Sequence, residues 1–195
     1  MERKSTDRRI RKTKTALKNG LIELMLEKNI NDISVRELTE KVDLNRGTFY
    51  LHYKDIFDLL EKIEEELYEE FNNIFHSHDP SDCDSYYDKV LLDLLEDILV
   101  FLKNNALMCT VLLSPNGDIA FVNKLKIIIR NKCFDAWNIL FNAKKTDKFD
   151  YFYNFILSGC LGIFEAWLKN GLIESPHEMA ILTESFILHG IEVLK

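Results

Sequence analysis

Residues that punctuate a chain are scarce here: seven Gly and three Pro in 195 residues. An all-β fold needs a turn signal every ten residues or so, and these are missing. Cysteine is equally sparse. Cys83, Cys109, Cys133 and Cys160 stand about 25 residues apart with no C-x-x-C pair. They form neither a disulfide framework nor a zinc site, and read as buried, reduced thiols. No apolar run is long enough for a bilayer: the most apolar stretch, residues 151–168, is interrupted by Asn154, Ser158 and Glu165. The first residues are polar and charged, with no signal-peptide core, so a cytoplasmic protein without a membrane partner is expected. What is present is 47% hydrophobic and 29% charged, an ordinary globular composition. A mostly helical protein of one domain or two small ones is expected.

The net charge of −7 hides an asymmetry. Residues 1–18 hold eight basic side chains (Arg3, Lys4, Arg8, Arg9, Arg11, Lys12, Lys14, Lys18) and two acidic ones, a charge of +6. Residues 55–195 hold 12 basic and 24 acidic, a charge of −12. A basic head on an acidic body directs attention to nucleic acid at the N-terminus.

Along the chain, Ile10, Leu17, Leu21, Leu24 and Met25 recur at helical intervals from Asp7 to Glu27, with Ala16 and Gly20 beside them and a basic opposite face. This predicts one helix of about twenty residues, ending near Asn29. Ser34 followed by Glu37 is a capping box that opens a short helix over 35–42. The three residues Asp43, Leu44 and Asn45 connect it to a second short helix from Arg46 to about Leu51, with Asn45 as N-cap. A long helix then begins at Lys54-Asp55, with Phe57, Leu60, Ile63, Leu67, Phe71 and Ile74 at three- and four-residue steps. Two short helices joined by a tight polar turn and braced by long ones make a helix-turn-helix, whose second short helix reads DNA.

The polar stretch from His76 to Asp84 marks a domain boundary: 7–67 for the helix-turn-helix domain, 76–195 for a C-terminal domain. Further helices are predicted near 85–104, 106–113, 118–142, 148–169 and 176–194. Pro115-Asn116-Gly117 and Ser175-Pro176 separate them, Gly117 being taken as a residue that tolerates positive φ.

The reading helix has suitable chemistry. Gly47 and Thr48 are small enough to approach the groove floor, and Arg46 is able to contact guanine bidentately. Thr48 suits a base or a phosphate, Tyr50 and His52 reach phosphates, and Lys54 anchors the backbone beyond the helix. Arg36 and the basic face of the first helix add attraction without sequence preference. The expected DNA-binding set is Ser34, Arg36, Asn45, Arg46, Gly47, Thr48, Tyr50, Leu51, His52 and Lys54.

The string Arg46-Gly47-Thr48-Phe49-Tyr50-x-His52-Tyr53, set after a capped short helix, resembles the tetracycline-repressor-like (TetR) family over about residues 8–60. The resemblance implies an all-helical homodimer with an N-terminal DNA-binding domain and an effector-binding C-terminal domain. It also implies that Phe49 points inward. The sequence departs from the family pattern at two places. Asp43 stands where the inter-helix turn usually has Gly, and Ile56 where the fourth helix commonly opens on Lys.

Residues 159–171, with Glu174-Ser175-Pro176-His177-Glu178-Met179-Ala180, are similar to the C-terminal domain of a TetR subset that includes regulators near dihydroxyacetone kinase genes. The two last helices should pack as an antiparallel hairpin. Doubled in a second subunit, they would form a four-helix dimer interface with Phe152, Ile156, Gly159, Ile163, Leu182 and Phe186. An effector pocket is expected among 85–142 and the face of 148–169, lined by Phe101, Met108, Cys109, Trp137 and Phe141.

Other signals are weak. His76, His78, Asp79, Asp82, Cys83 and Asp84 are metal-competent but read as a solvated loop, so no metal is expected. His177-Glu178 begins a zincin-like string, but Ile181 stands where the second histidine belongs. No nucleophile motif or phosphate-cradling glycine loop occurs, so neither catalysis nor a cofactor is expected. The partners expected are double-stranded operator DNA, a second copy of the chain and a small-molecule or protein effector, with repression the expected sign of control. The competing reading is a helical small-molecule or protein-binding module without operator binding.

Overall fold

The computed structural model describes residues 2–78, 87–141 and 149–189, with side chains for 8–78, 90–134 and 149–189. Among the described residues the regular elements are all helical: α1 (Glu2–Glu27), α2 (Val35–Lys41), α3 (Arg46–Tyr50), α4 (Ile56–Ser77), α5 (Tyr87–Asn104), α6 (Ala106–Leu113), α7 (Ile119–Phe141), α8 (Phe149–Lys169) and α9 (Pro176–His189). A single 3-10 turn, Ile30–Asp32, follows α1. It rides on Asn29, whose side chain accepts from the Asn31 N–H. Residues 79–86, which include part of the metal-competent stretch, lie outside the described residues, as do residues 190–194 of the last expected helix.

Packing divides the chain into two units: Met1–Tyr68 with Leu107–Val122, and Glu69–Ala106 with Asn123–Lys195. Residues 107–122 thus pack with the N-terminal unit, although they fall on the C-terminal side of a linear division at 67 and 76.

In the first unit Leu17, Leu21, Leu24 and Met25 of α1 are buried, together with Leu38 of α2, Phe49 of α3, and Ile56, Leu59, Leu60, Ile63 and Leu67 of α4. Two expected inward residues are not inward: Ile10 is 39% exposed and Phe57 is 54% exposed. Asp55 caps α4 by accepting from the Asp58 N–H at 2.9 Å, and Asp58 accepts from the Lys54 N–H at 2.8 Å. With α4 starting there, its inward stripe runs through Ile56 and Leu59, and Phe57 turns outward. Helices α1 and α2 touch at Gly20, where a Cβ would lie 2.4 Å from Val42 Cγ1. Lys28 pairs with Glu37, and Lys41 Nζ with Glu23 at 3.0 Å, tying the same two helices.

The connection between α6 and α7 is built from side chains. Ser114 Oγ accepts from the Asn116 N–H at 3.1 Å, and Asp118 accepts from the Ala120 and Phe121 N–H groups as the N-cap of α7. Gly117 does not have positive φ. It is small because a Cβ would lie 2.4 Å from the Leu112 carbonyl oxygen.

In the second unit Phe71 and Phe75 of α4 and Leu99 and Phe101 of α5 are buried, with the Phe71 and Phe101 rings 5.3 Å apart. Helix α9 lies chiefly along α5, with a smaller contact to α8, so the expected α8–α9 hairpin is not its main packing. The corner between α8 and α9 explains this. Gly171 (φ 81) and Leu172 (φ 56) end α8 in left-handed conformations. The Leu172 N–H donates to the Trp167 carbonyl at 3.0 Å and the Gly171 N–H to that of Leu168 at 3.1 Å, a Schellman close. Trp167 is 2% exposed and donates its Nε1–H to the Glu174 carbonyl at 3.2 Å. Lys103 of α5 sits 5.6 Å from the centre of the Trp167 ring. Ser175 and Glu178 then cap α9 reciprocally, and the Ser175 N–H holds the Glu178 carboxyl below its ordinary range.

Candidate nucleic-acid interface

Helix α3 is five residues long, far too short to persist alone. Three local devices hold it. Asn45 Oδ1 accepts from the Gly47 N–H at 2.7 Å, and the Asn45 carbonyl accepts from the Thr48 N–H at 2.9 Å. Phe49 is fully buried, with Tyr53 8% exposed and its ring 5.7 Å away. Burying a phenylalanine this fully stabilises by about 1.5–3 kcal/mol, so the anchor is the strongest of the three.

The third device is the turn. Asp43 has φ 52, in the left-handed region. Its N–H donates to the Glu40 carbonyl at 3.4 Å, and the Leu44 N–H donates to that of Thr39 at 2.9 Å. This closes α2 as a Schellman motif with Asp43 at the position glycine prefers. Aspartate adopts this conformation more readily than most side chains, so the turn forms without glycine, at some strain.

With the helix anchored through Phe49, the remaining α3 side chains face outward. Arg46, Gly47, Tyr50 and Leu51 are exposed, Leu51 by 79% and Tyr50 by 58%, and Thr48 and His52 are half-buried. Arg46 and Tyr50 lie one helical turn apart, as do Gly47 and Leu51, so the four make one surface. Lys54 is exposed just beyond it.

Besides Asn45, whose side chain caps α3, two members of the expected set are engaged elsewhere. Ser34 Oγ accepts from the Glu37 N–H at 3.2 Å, as its cap role requires. Glu37 itself turns to Lys28, which holds its carboxyl below the ordinary range. Arg36 Nε donates to Glu40 Oε1 at 2.7 Å, so Arg36 must leave that carboxylate before it meets another anion.

The expected pocket residues are distributed over both units. Met108 and Cys109 are buried in the first, and burial pushes the Cys109 thiol up to about 12. Phe101 is buried in the second. Trp137 and Phe141 lie on α7, with side chains outside the described ones. The expected dimer residues are more open. Phe152 is 40% and Leu182 37% exposed, Ile156, Ile163 and Phe186 are half-buried, and among the described residues nothing lies within 4 Å of a Cβ at Gly159 or Gly162. Phe155, which the sequence reading left out, is 75% exposed beside them. His78, from the metal-competent stretch, pairs through Nε2 with Asp97 at 2.8 Å.

A capped two-helix unit with an outward polar second helix defines a helix-turn-helix regulator. Comparison with known proteins agrees. A family model described as "Transcriptional regulator C-terminal region" (TetR_C_8) matches residues 89–189, just over half of the chain. The chain belongs to the TetR family of transcriptional regulators. An uncharacterized HTH-type transcriptional regulator, YxbF from Bacillus subtilis (strain 168), is 34% identical over 53 residues. That match spans 27% of this chain and 14% of YxbF. A TetR transcriptional regulator from Streptococcus agalactiae 2603V has the same fold, with a TM-score of 0.55 and 23% identity over 94% of this chain and 97% of that one. The dihydroxyacetone kinase operon activator DhaS is also similar in fold, with a TM-score of 0.54 and 18% identity over 93% of this chain and 97% of that one.

Proposed function

We infer that the protein is a homodimeric repressor that reads an operator through α3 and releases it when an effector binds the C-terminal domain. The observation that carries this is the division of labour on α3: Phe49 is buried while Arg46, Gly47, Tyr50 and Leu51 are exposed together. Arg46 reads guanine, and Thr48 reaches a base or phosphate. Tyr50, His52 and Lys54 hold phosphates, and Ser34 and Asn45 position the elements by capping.

The exposed Phe155 and Leu182, with the partly exposed Phe152, Ile156, Ile163 and Phe186 around Gly159, support the dimer. An apolar helical face with uncrowded glycines suits a second copy of itself about a two-fold axis. The effector acts through the C-terminal domain by binding more tightly to the DNA-free arrangement, so operator and effector weaken one another by the same factor.

Selection of duplexes from a random library by the intact protein tests the reading. Enrichment of an inverted repeat, with half-sites about 34–36 Å apart, is the expected result. Gly159→Arg should leave the fold intact, convert the dimer to monomer in sedimentation and abolish the enrichment. No enriched sequence with the intact protein, or enrichment of a single unrepeated site, would overturn the reading.

A further inference from the structure

The outward face of α3 has two edges of opposite character. At about 100° per residue, Arg46 and Tyr50 fall along one edge and Gly47 and Leu51 along the other, with Thr48 next round the helix from Leu51. The first edge carries a guanidinium and a phenol. The second carries bare backbone and a leucine that is 79% exposed.

The Leu51 side chain leaves from a fixed point. Its N–H donates to the Gly47 carbonyl at 3.2 Å, and the His52 and Tyr53 N–H groups donate to that of Phe49 at 2.9 and 3.0 Å. Its backbone stays helical, at φ −71 and ψ −19. The end of α3 is thereby tied to the buried Phe49. Gly47 is bare for a local reason, because a Cβ there would lie 3.2 Å from Asn45 Oδ1, the cap of the helix. Without a side chain at Gly47, the backbone is able to approach a groove floor closely. That brings a leucine one turn further on within reach of base edges.

A single exposed leucine needs no explanation on an ordinary surface. On a face that enters the major groove it does, because there it loses water against hydrogen-bond donors and acceptors. The one apolar group that the groove presents is the 5-methyl of thymine. Against any other base edge, a leucine would cover a donor or acceptor without replacing the bonds that it made to water.

We propose that Leu51 determines specificity by reading the 5-methyl group of one thymine in each half-site, with Gly47 leaving room for the approach. The inference rests on the DNA-binding reading above and assigns a ligand to a position which that reading leaves without one. The ligand class is a 5-methylpyrimidine, so 5-methylcytosine satisfies the site as thymine does. Arg46 then specifies one base pair by hydrogen bonds, and Leu51 a different one by burial of a methyl group.

The test uses the full-length protein and the duplex enriched by selection. In the first arm each thymine is replaced in turn by uracil, in both half-sites together, which removes the methyl group and nothing else. Burial of one methyl corresponds to about fourfold in affinity, so one position should weaken binding by about 15-fold when both half-sites are substituted. Leu51→Ala should bind the thymine and uracil duplexes equally at that position. It should also melt as the parent does, because the side chain is exposed. Thr48→Ser, which removes the neighbouring methyl and keeps the hydroxyl, should retain the discrimination. In the second arm that position carries cytosine or 5-methylcytosine. Methylation of both half-sites should strengthen binding by the parent about 15-fold and leave Leu51→Ala unmoved.

A selected duplex in which no thymine is sensitive to uracil would overturn the proposal. So would discrimination that survives in Leu51→Ala, discrimination lost in Thr48→Ser, or a Leu51→Ala protein weakened on every duplex with its uracil profile unchanged. If selection enriches nothing, the reading of DNA by α3 fails and the proposal fails with it. An enriched sequence without uracil sensitivity removes the proposal alone.

Discussion

Asn116 donates its Nδ2–H to the main-chain carbonyl of Met25 at 3.2 Å, across 91 residues of sequence. Met25 lies in the last turn of α1, where carbonyls have no partner within the helix. The loop between α6 and α7 thus closes the end of the first helix, and both belong to the same packed unit.

Replacing that side chain should be felt as stability. Asn116→Ala should lower the unfolding free energy by about 0.5–1.5 kcal/mol, the usual net worth of such a bond. Asn116→Asp should cost more, because a carboxylate then faces a carbonyl at the negative end of α1. Urea titrations of the three proteins give the order. Equal stability of the alanine and aspartate variants would show that the donor is immaterial.

Arg46→Ala and Tyr50→Phe should fail in different ways. Without Arg46, discrimination should relax by about 1–3 kcal/mol at one position of each half-site. Without the Tyr50 hydroxyl, all sequences should weaken alike, as loss of a phosphate contact does. Binding measured against a panel of single-base operator variants separates the two patterns. Uniform weakening by both would remove Arg46 from the role of reader.

Asp43 combines a left-handed backbone with a carboxylate in the turn before α3. Asp43→Gly removes both. The melting temperature should rise, with relief of roughly 1 kcal/mol of backbone strain. Affinity for every duplex should rise at low salt, because a negative charge near phosphate is lost. A lower melting temperature would mean that the carboxylate contributes more to the turn than its conformation costs.

The α5–α9 contact should respond to pH. His177 Nδ1 donates to Glu96 Oε2 at 2.7 Å, and that bond, with the Glu96 charge, raises the His177 pKa above its ordinary 6.5. Glu178 beside it adds a further raising charge. A raised folded value means that the stabilisation is fully present below the unfolded pKa and is lost as pH rises through the folded one. The parent should therefore exceed His177→Gln in stability most clearly below pH 6.5, and the gap should close in alkali. Chemical unfolding at several pH values measures it. A gap that widens in alkali would contradict the pairing.

Local signals in the sequence marked the ends of most elements because they are chemical rather than cooperative. Ser34, Asn45 and the Ser175-Pro176 pair each announce a helix start by supplying an acceptor or a fixed φ, and each stands at one. Periodicity was a weaker guide where two apolar residues adjoin. Ile56 and Phe57 compete for the same inward stripe, and only the register set by Asp55 and Asp58 decides between them. Tertiary partners left no mark at all. Neither the seating of Gly20 against Val42, nor the bond from Asn116 to Met25, nor the preference of α9 for α5 follows from spacing. The left-handed turn was legible only through Asp43, a residue type that tolerates such a conformation at a position that favours glycine.

The separation on α3 between buried Phe49 and exposed Arg46, Tyr50 and Leu51 has a consequence for how the protein is able to change. Substitutions at the outward positions leave the anchor and the cap of α3 intact, so they change the chemistry of that face at little structural expense. In a chain built this way, single replacements remodel what that face offers a partner, while the fold beneath stays as it is.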